Sequence, residues 1–544
     1  MPSWGDEVDV VVLGSGGAAL AAALTAVASG ASVAVYEKAA TVGGTTAVSG
    51  GVVWIPAHNR SPEGELTVDD ALSYLRAQSL GSMDDALVGT FVRTGPAMLD
   101  FIEAHSSLRF EIATGFPDYK PELPGGQPGG GRSLSAAPFD LNQLGEWRDR
   151  ITSFPQDWSN VGFDAETRAR LHAGADENAD LCVAGTALIA GLLKGLLDAG
   201  VTPQTDARAE ELIADDGAIV GVRIAAGGEQ LAVRARRGVI LGTGGFEWDP
   251  VLVNAFLRGP MHGAVSPPNN TGDGLRMVMA HGADLANMGE AWWVPIVQIP
   301  GDTIDGHQRS RSVRLERTRP RSIIVNRLGK RFVNEACDYN SMAGAFHYLD
   351  PRAGYVNDPA WMVFDAQHLK RYGFLGVDPD GPVPDWFCES ADLTELAAKT
   401  GIALDGLTRT IDAWNHHVGD GADPDFGRGS SAYDGYWGDE HATTLAGKTL
   451  GPVDTAPFYA VPVSVGAMGT KGGPRTDRDG RVLSVDGDVI PGLYAAGNVM
   501  ASPAGMVYGG AGATLAVASV WGLYAGRAAV HDRAPATTVP ETQK

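Results

Sequence analysis

Residues 7–19 read EVDVVVLGSGGAA, and the fold follows from how that run continues. Glu7 to Leu13, β-branched and apolar from Val10 onward, reads as a buried parallel strand. The turn Gly14-Ser15-Gly16-Gly17-Ala18-Ala19 leads into a helix of small residues, Ala19 to Ala28, able to pack closely on a sheet. Gly30 closes that helix, and a second strand, Ser32 to Tyr36, ends at Glu37. A βαβ unit of this pattern holds a dinucleotide. Gly14 permits the tight turn, Gly16 lets the backbone approach the pyrophosphate, Ala19 keeps the helix near the sheet, and the helix N-terminus offers free N–H groups to the anion. Glu37 lies 23 residues beyond Gly14, where a carboxylate accepts hydrogen bonds from a ribose diol and repels a 2′-phosphate, which argues against NADP.

Further along, Gly238 to Leu241 is a short apolar run ending in Gly242-Thr243-Gly244-Gly245-Phe246. Before it, Glu211 to Ala226 alternates around Asp215-Asp216-Gly217 as a β-meander would. Near the C-terminus, Pro491-Gly492-Leu493-Tyr494-Ala495-Ala496-Gly497-Asn498 reads as another strand with a Gly turn, and Gly512 to Ala529 as a helix. The predicted fold is therefore α/β, a Rossmann-like dinucleotide-binding domain split into 1–275 and 451–544. An α+β capping domain at 276–450, rich in Trp, Pro and charge and without a second fingerprint, is inserted in it. Gly125 to Gly131 is expected to be a flexible surface loop, Asp118 and Lys120 solvated surface, and Ala534 to Lys544 a frayed tail.

Bulk properties narrow the partners. With 42 basic against 65 acidic side chains the formal charge is -23, which disfavours nucleic acid or an anionic membrane surface. The three cysteines, Cys182, Cys337 and Cys388, have no C-x-x-C spacing, so neither a disulfide framework nor a metal site is indicated. No basic n-region precedes an apolar h-region, and Thr186 to Leu197, interrupted by Lys194, falls short of the ~20 residues of a membrane span. A cytoplasmic protein without a transmembrane segment is expected, with a face that could touch a membrane if the substrate is greasy.

The stretch after Glu37 is more specific: Lys38, then Gly43-Gly44-Thr45-Thr46 and Ser49-Gly50-Gly51. With the 242–246 and 492–498 segments and Thr271-Gly272-Asp273-Gly274, these make the chain resemble the flavoproteins of the fumarate reductase and succinate dehydrogenase superfamily, from Glu7 to about Ala529. The resemblance implies FAD as the cofactor. Beyond the residues already named it implies contacts from Gly17, Ala18, Ala209, Thr243, Gly244, Asp273, Gly497, Asn498, Ala513 and Leu515.

Fumarate reductases hold a dicarboxylate with cationic side chains. Where they place an Arg four residues past the Glu of Gly329-Lys330-Arg331-Phe332-Val333-Asn334-Glu335, this chain has Tyr339. A second Arg position carries Tyr508, and no His occurs between Val463 and Gly469. A dicarboxylate would meet too little positive charge. Tyrosines at both places, with a third in Phe116-Pro117-Asp118-Tyr119, resemble the Δ1 branch of the 3-ketosteroid dehydrogenases, as do Trp292-Trp293-Val294-Pro295 and 321–326. That resemblance implies α,β-desaturation of a hydrophobic ketone, most directly a 3-ketosteroid. The Tyr508 hydroxyl and Gly512 N–H would polarise the carbonyl, each worth ~3 kcal/mol. Tyr339 would take the α-proton, Tyr119 relay it, and FAD accept the β-hydride before passing electrons to a quinone or similar external acceptor. Phe116, Trp292, Trp293 and Met506 are candidate substrate walls. The branch commonly reads S-V-M-G-R-x-Y-P-G-x-G-A-T-I-G around the carbonyl-binding tyrosine, whereas residues 502–516 here read SPAGMVYGGAGATLA. The alternatives are a Δ4-(5α)-ketosteroid dehydrogenase, a desaturase of smaller cyclic ketones such as cyclohexanone derivatives, and a flavin-binding protein without turnover.

Overall fold

A computed structural model describes residues 3–62, 64–154 and 180–532; the tail expected at Ala534 to Lys544 lies outside them. The strand Asp6–Leu13 pairs in parallel with Val33–Tyr36 on one side and with Glu229–Leu241 on the other, and the latter pairs in parallel with Val489–Ala495. The four strands come from three distant parts of the chain, so the dinucleotide fold is split as the sequence predicts. Their register aligns Leu13 with Tyr36 and Leu241, and Leu241 with Ala495. The segments that come next, at Gly14, Glu37, Gly242 and Ala496, therefore leave the sheet along one edge, the carboxyl edge where open α/β sheets bind ligands.

The meander is present as Ala207–Asp215, Ala218–Ala226 and the first part of Glu229–Leu241, joined antiparallel. The helix Gly17–Ala28 packs against the helix Ala513–His531 at small residues. A Cβ on Gly522 would lie 2.6 Å from the Ala18 carbonyl oxygen, and one on Gly526 2.5 Å from that of Ala22. Ala513–His531 is long and apolar enough to cross a membrane, but 78% of its apolar window is buried inside the protein. Core packing accounts for that composition.

A second, antiparallel sheet runs in the order Arg311–Ser312, Ala291–Val297, Phe458–Thr470, Ala360–Asp365, Ser322–Asn326. Its central strand, Phe458–Thr470, lies past the expected boundary at 450. A third sheet, Val52–Trp54, Gly130–Ala136 and Phe110–Thr114, corrects two expectations. Gly130 and Gly131 begin a strand, and Gly125 sits so close to the Asp70 carbonyl that a Cβ would meet its oxygen at 2.1 Å, so 125–131 is not a free surface loop. Asp118 is only 2% exposed. It accepts from Trp54 Nε1 (2.8 Å), Arg132 Nη1 (2.6 Å) and the Gln127 N–H (3.0 Å), because a buried carboxylate needs a charged partner and hydrogen bonds. Lys120 is half-buried rather than solvated, its N–H donating to the Tyr74 hydroxyl at 3.1 Å.

Candidate active site

The carboxyl edge of the first sheet opens into one continuous cavity. Gly14 and Glu37 line one end, and Tyr339, Tyr508 and Gly512 the other. Of the sequence-predicted cofactor residues, Gly16, Gly17, Ala18, Lys38, Gly44, Thr45, Thr46, Ser49, Gly50, Gly51, Ala209, Thr243, Gly244, Asp273, Gly497, Asn498 and Leu515 also line it. Ala19, Gly43 and Ala513 stand behind the wall. Ala19 backs the turn after the third strand, where a Cβ on Gly242 would meet its Cβ at 2.7 Å. Gly43 is packed against Ala47 and Ile189, at 2.8 and 3.1 Å from the Cβ it would carry, at φ 108°.

Several features fit FAD in this cleft. Gly16 leaves open space, with nothing nearer than 3.8 Å to an added Cβ, and Gly44 has nothing within 4 Å. Two of the helices that start at the cavity, Gly17–Ala28 and Ala513–His531, lack a side-chain cap at their N-terminus, which suits anionic or electron-rich parts of a ligand. The Thr243 hydroxyl, on the wall, is buried without a hydrogen-bond partner among the described residues. Glu37 is held by Ser15, whose hydroxyl donates to its Oε2 at 2.6 Å, and by the Ala39 N–H at 2.9 Å. Burial pushes its carboxyl above the usual range, and those two bonds oppose the shift. Ser15 does not stand out in the sequence, yet it also accepts from the Gly43 N–H at 3.0 Å, tying the glycine turn, Glu37 and the Gly-Gly-Thr-Thr segment together. Asn270, likewise missed, donates to Thr45 Oγ1 (2.8 Å) and Glu247 Oε1 (2.7 Å). Lys38 and Asp273 bond each other at 3.1 Å.

At the opposite end the three tyrosines form one hydrogen-bonded row. Tyr119 donates to the Tyr339 hydroxyl oxygen at 2.5 Å, and Tyr339 to that of Tyr508 at 3.0 Å. Each is placed by a separate element. Tyr339 opens the helix Tyr339–Gly344, whose cap Asp338 accepts from the Ser341 N–H at 2.9 Å. The Tyr119 N–H and the Tyr74 hydroxyl both donate to the Gly509 carbonyl, at 3.1 and 2.6 Å, and Ser133 Oγ donates to the Ala511 carbonyl at 3.0 Å. These bonds hold the loop that carries Tyr508 and Gly512. Gly512 has φ 94°, and a Cβ there would meet the Val52 carbonyl oxygen at 2.2 Å, so only glycine fits. Burial raises the pKa of all three phenols, Tyr119 and Tyr339 well above 10. The hydrogen bond donated by Tyr119 acts the other way on Tyr339, favouring its phenolate.

Behind Tyr508 stands a residue that the sequence did not single out. Lys471 is 1% exposed, donates to the Met506 carbonyl at 2.9 Å, and holds its ammonium 4.3 Å from the Trp292 ring centroid. Trp292 in turn packs edge-on to Tyr508, centroids 4.7 Å apart, and donates to Asn498 Oδ1 at 3.1 Å. Burial brings the Lys471 ammonium down to about 7. Of the expected substrate walls, Phe116 and Trp292 line the cavity. Trp293 and Met506 do not: Trp293 turns to Glu290 and His347, and Met506 contributes its carbonyl to Lys471. Arg314, Trp437 and Met468 line the cavity unanticipated.

The FAD binding domain family model matches residues 9–515. The chain belongs to that family. FAD is accordingly its cofactor, and the protein is a flavin-dependent dehydrogenase. It is 42% identical to a 4-oxocyclohexanecarboxylate 2-dehydrogenase of Sinomonas cyclohexanicum over 95% of this chain and 92% of that one. It is 39% identical to a 3-oxosteroid 1-dehydrogenase of Mycolicibacterium smegmatis, over 96% and 97%. The crystal structure of a 3-ketosteroid delta1-dehydrogenase from Sterolibacterium denitrificans, in complex with 1,4-androstadiene-3,17-dione, superposes with a TM-score of 0.88 at 31% identity. The match covers 96% of this chain and 99% of that one.

Proposed function

We propose that this flavoprotein introduces a C=C bond α,β to the carbonyl of a cyclic ketone. The observation that carries the reading is the row Tyr119–Tyr339–Tyr508 at the wall of the cavity that also receives FAD. The Tyr508 hydroxyl and the Gly512 N–H polarise the ketone oxygen, which acidifies the α-carbon. Tyr339 acts as phenolate and removes the α-proton, the hydrogen bond donated by Tyr119 stabilises that phenolate, and the proton is returned to solvent by way of Tyr119. Bound FAD supplies the acceptor for the hydride that leaves the β-carbon, so the ketone loses one proton and one hydride and becomes an enone. The electrons then go to an external acceptor such as a quinone. The cofactor-holding part is 1–275 with 451–544, and 276–450 caps the substrate, the strand Phe458–Thr470 completing the cap's sheet.

Two ring systems meet these requirements, the 3-oxosteroid expected from the sequence and the oxocyclohexane of the Sinomonas relative. The roles are tested by two variants. Tyr339→Phe should keep FAD and ketone binding while lowering kcat by about 10²–10⁴-fold. Tyr508→Phe should lower it by about 10²-fold through lost carbonyl activation. Because burial holds Tyr339 above its ordinary pKa, the wild-type rate should climb as pH rises. A variant that turns over at the wild-type rate removes that residue from the mechanism.

A further inference from the structure

Lys471 lies outside the proton path of the tyrosine row, and its surroundings are unusual for an ammonium. It directly follows the strand Phe458–Thr470 and is 1% exposed. Its backbone is tied on both sides, the N–H donating to the Glu290 carbonyl at 2.9 Å and the carbonyl accepting from the Ser502 N–H at 2.9 Å. The side chain donates to the Met506 carbonyl at 2.9 Å and to the Val507 carbonyl at 3.4 Å, in the two residues that precede Tyr508. Its Nζ lies 4.3 Å from the Trp292 ring centroid and 6.0 Å from that of Tyr508. Both rings line the cavity, and the lysine stands behind them. Among the described residues it makes no ion pair. The charges that face it offset one another: Glu290 and Asp338 favour the ammonium, Arg258 and Lys120 disfavour it, and Glu290 is already paired with Arg258 at 2.9 Å.

A buried charge without a counter-ion is unfavourable, whereas a neutral donor would hold the same two carbonyls with a smaller desolvation penalty. We propose that Lys471 is a positioning residue for enolate formation, its ammonium fixing Tyr508 through the Met506 and Val507 carbonyls and setting a positive charge behind the hydroxyl that receives the ketone oxygen. The proposal rests on the desaturase reading of the same site. As the α-proton goes to Tyr339, the electron pair of the C–H bond moves toward the ketone oxygen, which gains negative charge beside Tyr508. No proton passes to or from Lys471 in that step. A fixed cation in a water-poor wall stabilises the new charge without having to reorganise. The bound ketone is neutral, so the effect falls on the rate of the chemical step rather than on ketone binding.

Two variants separate charge from clamp. Lys471→Gln keeps N–H donors for the two carbonyls and removes the charge, whereas Lys471→Met removes both. Holoenzyme is mixed anaerobically with 4-oxocyclohexanecarboxylate or 4-androstene-3,17-dione. The maximal rate of flavin bleaching and the half-saturating ketone concentration are measured from about pH 6 to about pH 9, across the titration of the lysine. At the acid end Lys471→Gln should bleach about 10-fold more slowly than wild type with half-saturation changed by less than about twofold, and Lys471→Met at least as slowly. The ratio of wild-type to glutamine rates cancels the climb that Tyr339 gives both. Because burial brings the lysine down to about 7, that ratio should decline toward one at the alkaline end. A glutamine variant that bleaches at the wild-type rate at the acid end would reduce Lys471 to a clamp. A ratio that does not vary with pH, or a loss confined to half-saturation, would reduce it to packing. Each of these results overturns the proposal and leaves the desaturase reading intact. Wild-type holoenzyme that bleaches with neither ketone removes that reading, and the proposal with it.

Discussion

At the scale of single residues, Lys471 carries the clearest consequence. Its ammonium is out of water among Trp292, Tyr508 and two backbone carbonyls, and burial lowers its pKa from the ordinary lysine value to about 7. Between about pH 7 and the unfolded value near 10.4 the unfolded chain binds a proton that the folded protein does not. Stability should therefore rise with pH across that window, by up to about 1.4 kcal/mol per pH unit, and the gain should be lost as pH falls back toward 7. Urea unfolding of holoenzyme at several pH values across that range should show the slope in the wild type and lose it in Lys471→Met; equal slopes would place the lysine in water. The sequence did not mark this residue, since a Lys followed by Gly472-Gly473 reads as an exposed loop. Arg314 was hidden for a different reason. Six arginines fall between 309 and 321, and only the packing tells which faces the cavity. Arg317 holds the Cys337 carbonyl at 2.7 Å, and Arg321 bonds Asp365 at 3.0 Å. Tyr119, Tyr339 and Tyr508 were legible because two of them stand where a related branch has arginines.

Among elements, the parallel strands and the two helices at the cofactor end were readable because their cavity-side ends are short apolar or small-residue runs beside a glycine, as at Val10 to Gly14 and Gly238 to Gly242. The cap was less so. Phe458–Thr470 pairs with strands that lie more than 90 residues earlier in the chain, and local periodicity carries no trace of such a partner. Asp118 was misjudged for the same reason, its partner Arg132 being visible only in the fold. Gly329 to Glu335 likewise has a structural role that its position next to Tyr339 does not reveal. Glu335, fully buried, accepts from Arg331 at 2.7 Å and Arg428 at 3.3 Å, and Arg331 also bonds Asp423 at 2.8 Å. Burial alone would raise the Glu335 carboxyl, but the arginines hold it below the usual range. The stability it contributes is thus present above the unfolded carboxylate pKa and lost as pH falls through the folded one. Glu335→Gln should cost about 3–5 kcal/mol at neutral pH, the penalty for leaving buried guanidinium charge without its partner. A denaturant midpoint unchanged in that variant would show the network to be dispensable.

Across the whole molecule, the split sheet brings four strand ends from residues 13, 36, 241 and 495 to one edge, and Tyr339 from the 276–450 segment meets Tyr119 and Tyr508 at the wall of the same cavity. In the proposed reading one end holds the dinucleotide and the other presents the carbonyl donors, the base and the aromatic walls. That division of labour makes the central claim testable with a single observation, because only a pocket that activates the α-carbon can reduce its own flavin with a saturated ketone. Oxidised holoenzyme should be mixed anaerobically with saturated 3-oxosteroids and with 4-oxocyclohexanecarboxylate while flavin absorbance is followed and the organic product identified. The account predicts that at least one of these ketones bleaches the flavin and is recovered two hydrogens lighter, its new double bond conjugated to the carbonyl. Flavin that stays oxidised with every one of them would contradict it.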